Sequence, residues 1–277
     1  MVEMPYVRQP TELPVTYAYG PDSSPQPGVP SGVIQEYEWS ESDVFPGTTR
    51  RYWVYVPAQH TKSAPASLMV FQDGWLFLDP DGIFRAGTVL DNLIHSGDMP
   101  VTVGVFVDPG EPDNRNAEYD AFDNLYAEFL LTEILPDVLR ECSVSNDPDS
   151  WGICGGSSGG NCALTVAWHR PDRFRRVLCF QGSFEQIPGG NPFPRLIPKT
   201  PLKPLRIFLN AETRDLYWNE PLYNWFSSNL RVAVALAERG YDLRLVVGDG
   251  EHTLRPGGNH GATILPDALR WLWRNHD

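Results

Sequence analysis

One segment of the chain combines the residue types and spacing that covalent catalysis needs. Trp151-Gly-Ile-Cys-Gly-Gly-Ser-Ser-Gly-Gly160 lies between a short apolar run and a helical stretch. A G-x-S-x-G turn joining a strand to a helix presents a serine hydroxyl as nucleophile. The turn is so sharp that the serine backbone is strained, and side chains two residues to either side would collide. The helix starting behind the serine aims free N–H groups and its dipole at a developing oxyanion. A phosphate-binding turn is the competing reading, but no G-K-[ST] follows. The motif fits in two registers, centred on Ser157 or on Ser158, and local sequence does not choose between them.

A serine nucleophile needs a base, and the base needs an acid to orient it. In sheets of strand–helix units these follow the serine in the order acid, then histidine, each at the end of a later strand. His252 sits in GDGEHT directly after an apolar strand, where the base belongs; His260, beyond a Pro-Gly-Gly turn, is the rival. The loop Ala211-Glu-Thr-Arg-Asp215 supplies two candidate acids, Glu212 and Asp215. There is no H-E-x-x-H, and Glu251, His252 and His260 have no ordered ligand spacing, so neither a metal nor a cofactor is expected.

The elements that must position these groups follow from the hydrophobic pattern. Residues 1–32 are proline-rich and without periodicity, and read as an irregular arm. Strands are expected at 32–40 and 50–56, joined as an antiparallel hairpin by FPGTT. From there strand and helix alternate. Strands are expected at 67–71, 101–107, 150–154, 176–180, 205–210 and 243–247. Helices are expected at 86–95, 121–140 (with Pro136 as a kink or restart), 161–169, 221–239 and 262–275. This pattern predicts one α/β domain over 33–277, a mostly parallel sheet with helices on both faces after an N-terminal hairpin.

Composition narrows the function classes. A net charge of −13 over 277 residues argues against nucleic-acid binding, which needs clustered cations. The densest basic run, Arg173, Arg175 and Arg176, reads as the surface flank of a strand. No apolar run approaches the ~20 residues that cross a bilayer, and the first residues have no apolar stretch of the signal-peptide kind. Cys142, Cys154, Cys162 and Cys179 make no C-x-x-C pair. Buried, reduced thiols are expected, and with them a cytoplasmic location. Trp75, Phe184, Tyr217 and Trp218 fall in loops at carboxyl ends of strands, where such folds bind ligands. They are candidates to line an acyl or aryl pocket. Arg115, Arg214 and Arg255 share those loops and are weighed between an anionic substrate and internal salt bridges.

Several separated strings, VFQDGW (70–75), NRNAEYD (114–120), ICGGSSGGNCAL (153–164), HRPDRF (169–174), GDGEH (248–252) and LPDALRWLW (265–273), agree in order with one family. Over about residues 33–275 the chain resembles the enterochelin-esterase-like α/β-hydrolases, relatives of feruloyl and acetylxylan esterases and of antigen-85-type acyltransferases. The resemblance implies G-x-S-x-G-G, hence Ser157 as nucleophile, and G-x-G-x-H, hence His252 as base. It implies Asp215 as acid, although the family's Gly and Asn are replaced here by Glu-Thr-Arg. It further implies an oxyanion hole from the N–H of Ser158 and that of Gly74 or Trp75. The implied activity is hydrolysis of a small, sugar-linked or siderophore-linked ester through an acyl-enzyme. The alternatives are an acyltransferase or lactonase using the same residues, or a hydrolase fold kept only as a binding module.

Overall fold

The computed structural model describes residues 15–111 and 113–275. Eight strands form one sheet: β1 (Val33–Trp39), β2 (Arg50–Val56), β3 (Ser67–Gln72), β4 (Thr102–Val107), β5 (Trp151–Gly156), β6 (Arg176–Phe180), β7 (Arg206–Arg214) and β8 (Asp242–Glu251). Their order is β1-β2-β4-β3-β5-β6-β7-β8. β1 and β2 pair antiparallel, as does β2 with β4; every later neighbour is parallel. This is the expected α/β-hydrolase architecture, with the N-terminal hairpin at one edge.

The central strands read as unbroken apolar runs because both of their faces are covered. Alternate side chains nonetheless go to different cores. Leu68 and Val70 of β3 join Val103, Ile153, Val177 and Ile207 under the helices Ser158–His169 and Trp225–Glu238. Met69 and Phe71 join Cys154, Leu178 and Phe208 against the helices Ala86–Ser96 and Leu265–Trp273. All four cysteines are free and buried. Among the described residues no helix is long and apolar enough to cross a membrane.

Three expectations change in detail. The single helix expected over 121–140 is instead Leu125–Phe129, a π turn over Leu130–Ile134, and Leu135–Glu141. Pro136 has no N–H to continue the ladder, so the chain widens before it and restarts with proline in the first turn. The helix expected at 221–239 begins later, at Trp225, where the Asn224 side chain caps it by accepting the Ser227 N–H at 2.7 Å. β7 and β8 run several residues past their apolar segments, because pairing between them continues through Glu212↔Gly248 to Arg214↔Glu251 across a bulge.

The described part of the arm lies along this frame. Tyr17 N–H donates to Gly257 O at 2.7 Å, Tyr19 Oη donates to Ile83 O at 2.9 Å, and Asn92 holds the carbonyls of Asp22 and Ser24. Its first 14 residues lie outside the described residues.

Candidate active site

Parallel strands place every loop that follows them on one edge of the sheet, and there the candidate residues meet. β5 ends at Gly156 and the helix Ser158–His169 begins two residues on, so Ser157 alone makes the turn. Its backbone lies at φ 59° and ψ −127°, a strained conformation for a residue with a side chain. The strain is held by hydrogen bonds. Ser157 N–H donates to Phe180 O at 2.9 Å, and its carbonyl accepts the N–H groups of Gly160, Asn161 and Ser183. A Cβ on Gly155 would fall 2.2 Å from the backbone of Gly159, which explains the first glycine of the motif. Ser158 differs from its neighbour: it is buried at the first helical position, and its hydroxyl donates to Asp120 at 3.0 Å.

His252 follows β8 directly, and Asp215 follows β7. The His252 Nδ1–H donates to Asp215 Oδ1 at 2.8 Å, which leaves Nε2 as the free acceptor. Asp215 is fully buried and also accepts the Leu216 N–H at 2.8 Å. The edge of Trp225 stands against the imidazole, with ring centres 5.0 Å apart. Ser157 and His252 both line one cavity of about 320 Å³, walled by Trp75, Leu76, Ile83, Phe84, Phe180 and Leu254. The rivals lie elsewhere. The His260 ring sits 4.5 Å from Tyr17 in a separate cavity, and burial pushes its pKa down. Glu212 is buried beneath the loop that carries His252, where it accepts the N–H groups of Gly250 (2.8 Å) and Gly261 (3.2 Å); burial pushes its pKa up to about 7. Glu212 therefore carries the loop, whereas Asp215 carries the imidazole.

The other expected residues divide. Gly74 and Trp75 open the short helix Gly74–Leu78, but the Trp75 N–H donates to Asp108 Oδ1 at 3.0 Å. Of the two expected oxyanion donors, Gly74 is the one whose N–H is not committed to that carboxylate. Gly74 also has to be glycine, since a Cβ would meet Phe106 at 2.7 Å. Arg115 lines the cavity with both arms of its fork on Asp73, at 2.7 and 2.8 Å. Burial alone would lower its pKa, but the Asp73 carboxylate raises it above the ordinary arginine value. Tyr217 and Trp218 are half exposed in an adjoining cavity that shares His252. The Arg214 guanidinium lies 5.7 Å over Trp218, and Arg255 donates to Val15 O of the arm at 2.8 Å. Phe184 is a correction: it is fully buried, packed edge-on to Phe193, and does not line the cavity. Its loop folds back under the sheet edge because Ser183 is drawn inward to Asp120 and Ser157.

Asp120 was not singled out by sequence, although it ends the string NRNAEYD. Buried at 3% exposure, its carboxylate receives the hydroxyls of Ser158 (3.0 Å) and Ser183 (2.6 Å) and the Asn161 amide (3.5 Å). Burial raises its pKa, and those donors oppose the shift. The donors bracket Ser157 on both sides, so Asp120 holds the turn from behind. Asp73 was missed too. Its left-handed backbone at φ 54° starts the helix that carries Gly74. Gln181 was a third omission; it accepts the Asn259 amide at 2.6 Å and donates to Glu251 O at 3.3 Å, pinning the loop that carries His252 to the end of β6.

Comparison with known proteins bears on the family and the fold. Residues 44–256 match the Esterase family, described as "Putative esterase". Iron(III) enterobactin esterase of Dickeya dadantii (strain 3937) is 32% identical over 135 residues, 49% of this chain and 30% of that protein. The enzyme of the same name from Escherichia coli (strain K12) is 27% identical over 162 residues, 57% of this chain and 38% of that one. The matched stretch thus spans about a third of the length of these curated relatives. Among solved structures, enterobactin esterase from Shigella flexneri, determined in the presence of 2,3-di-hydroxy-N-benzoyl-glycine, superposes with a TM-score of 0.72 at 23% identity. That match covers 95% of this chain and 64% of the other. A ferulic acid esterase superposes with a TM-score of 0.70 at 17% identity, covering 88% and 99%. Similarity at that level speaks for the fold alone; the family model speaks for more. By that match over most of its length, this α/β-hydrolase-fold chain belongs to the Esterase family.

Proposed function

We propose that the chain is a serine carboxylic-ester hydrolase working through an acyl-enzyme. One observation carries the reading: a strained Ser157 lines the same cavity as His252, whose imidazole is held by Asp215. In this mechanism Ser157 Oγ attacks the ester carbonyl while its proton passes to His252 Nε2. The oxyanion accepts the N–H groups of Ser158 and Gly74. Collapse breaks the ester bond, and the proton on Nε2 leaves with the alcohol. Water then repeats the sequence and releases the acid. Asp215 holds the imidazole in the required tautomer and balances its transient charge.

The wall of the cavity favours a neutral aromatic acyl group. Its apolar side chains offer stacking and dispersion contacts. Arg115 is its only Arg or Lys among the described residues, and Asp73 already balances that charge. The Shigella flexneri enterobactin esterase structure was determined in the presence of a benzoyl compound, and a feruloyl esterase module from Clostridium thermocellum (TM-score 0.65 at 15% identity) was solved complexed with sinapinate; both compounds are aromatic acyl groups or their acids. The test is a hydrolysis screen over short acyl, feruloyl and catecholate esters, run beside fluorophosphonate labelling. Turnover of the aromatic esters and a label on Ser157 are expected, both lost in Ser157→Ala. A label on Ser158, or turnover surviving in Ser157→Ala, would overturn the assignment.

A further inference from the structure

A cavity of about 490 Å³ lies at the opposite edge of the sheet from Ser157. It is built at the amino ends of β6, β7 and β8, from Arg175, Arg176, Lys203, Arg206, Asp149 and Asp242. Four cations around two carboxylates is an inverted balance for a chain of net charge −13. Asp149 takes Arg175 at 2.9 Å, and Asp242 takes Arg206 at 2.8 Å as well as Arg274 from outside the cavity. Nothing comparable holds Arg176. Its residue is buried, and the guanidinium donates to two backbone carbonyls, of Asp149 and Leu272, with no ion pair among the described residues. Arg206 donates to that same Leu272 carbonyl at 3.0 Å, so two guanidinium groups converge on one neutral acceptor. Lys203 likewise has no carboxylate partner among the described residues; its Nζ lies 5.0 Å over the Trp168 ring.

A buried cation without a counter-charge is costly, and folds do not keep one without a compensating partner. Burial, with Arg206 and Arg274 nearby, pushes the Arg176 pKa down to about 10, against the pull of Asp149 and Asp147. The Trp273 ring lies 4.8 Å from the guanidinium but carries no net charge, so the group that would balance Arg176 is an anion. A planar guanidinium fork beside a compact ammonium suits an oxyanion with several acceptor oxygens. Leu202, Pro204 and Tyr241 are among the residues of the remaining wall, and the volume leaves room beyond a single ion. We propose that this cavity binds a phosphate-class oxyanion, either free or as the phosphoryl group of a small molecule. The site is independent of ester hydrolysis, because its residues share no loop with Ser157, Asp215 or His252.

Isothermal titration calorimetry at constant chloride tests it, with inorganic phosphate and phenyl phosphate as probes on wild type, Arg176→Gln and Lys203→Gln. Saturable one-to-one binding is expected, weakened at least ~10-fold in each variant, as for loss of one charge-assisted hydrogen bond. Tighter binding of phenyl phosphate would identify a carried phosphoryl group; equal binding would identify the free ion. Lys203 is partly exposed, so Lys203→Gln decides the matter if Arg176→Gln does not fold. Absence of saturable binding by either probe, or wild-type affinity in Lys203→Gln, would overturn the site. Repeating the titration on Ser157→Ala should change nothing, whatever becomes of the esterase reading.

Discussion

The two edges of the sheet treat charge in opposite ways. At the carboxyl edge the charged groups around Ser157 are matched: Arg115 on Asp73, His252 on Asp215, and three neutral donors on Asp120. At the amino edge Arg176 and Lys203 have no carboxylate among the described residues. The first arrangement is complete before any ligand arrives, as preorganised catalysis requires, because nothing has to reorient when charge develops. The second leaves potential unbalanced, as a binding site does. Position along the same parallel strands separates the two, since all carboxyl-end loops gather at one edge and all amino ends at the other.

The largest expected effect comes from breaking the His252–Asp215 pair proposed to serve Ser157. His252→Ala should lower kcat by about 10³ or more, with Asp215→Asn also strongly impaired, whereas His260→Ala should change it little. Steady-state rates on one aromatic ester measure this. Near wild-type activity in His252→Ala would place the base elsewhere.

Glu212 is the exception at the carboxyl edge, a buried carboxylate held by backbone N–H groups and without a cation among the described residues. Its folded pKa of about 7 lies above the ordinary 4.5, so folding favours the protonated form. Its contribution to stability is then full below about 4.5 and is lost as pH rises toward about 7. The loss amounts to on the order of 3 kcal/mol. Denaturant unfolding of wild type and Glu212→Gln, between about pH 5 and about pH 8, should give a difference that moves in favour of the variant as pH rises. Asp108, which burial raises to about 6, titrates in both proteins and cancels. A difference independent of pH would refute the role given to Glu212.

The smallest effect sharpens the part of the site that sequence missed. Asp120→Asn removes the charge that gathers Ser158, Ser183 and Asn161 behind the turn. About a 10-fold fall in kcat with KM nearly unchanged is expected, since Ser157, the proposed nucleophile, is misplaced while the cavity wall is intact. Ser158→Ala removes one donor of three and should cost less than Asp120→Asn. A fall confined to KM in Asp120→Asn would assign Asp120 to substrate binding instead.

What the sequence determined by itself was local or periodic. Alternating strand and helix, the turn at 155–159 and the order of serine, acid and histidine are written in short-range pattern. Such patterns report which face a residue presents and where the chain must turn. The tertiary structure alone decided whatever depended on partners far apart in the chain. It separated Asp215 from Glu212, two carboxylates three residues apart, by turning one to His252 and the other under Gly250 and Gly261. It buried Phe184, committed the Trp75 N–H to Asp108, and drew Asp120 behind Ser157. It also enclosed Arg176, which had read as a surface residue, between the carbonyls of Asp149 and Leu272. A hydrogen bond needs its two atoms about 3 Å apart in a fixed direction, and residue type and spacing in sequence do not encode that distance across separate strands.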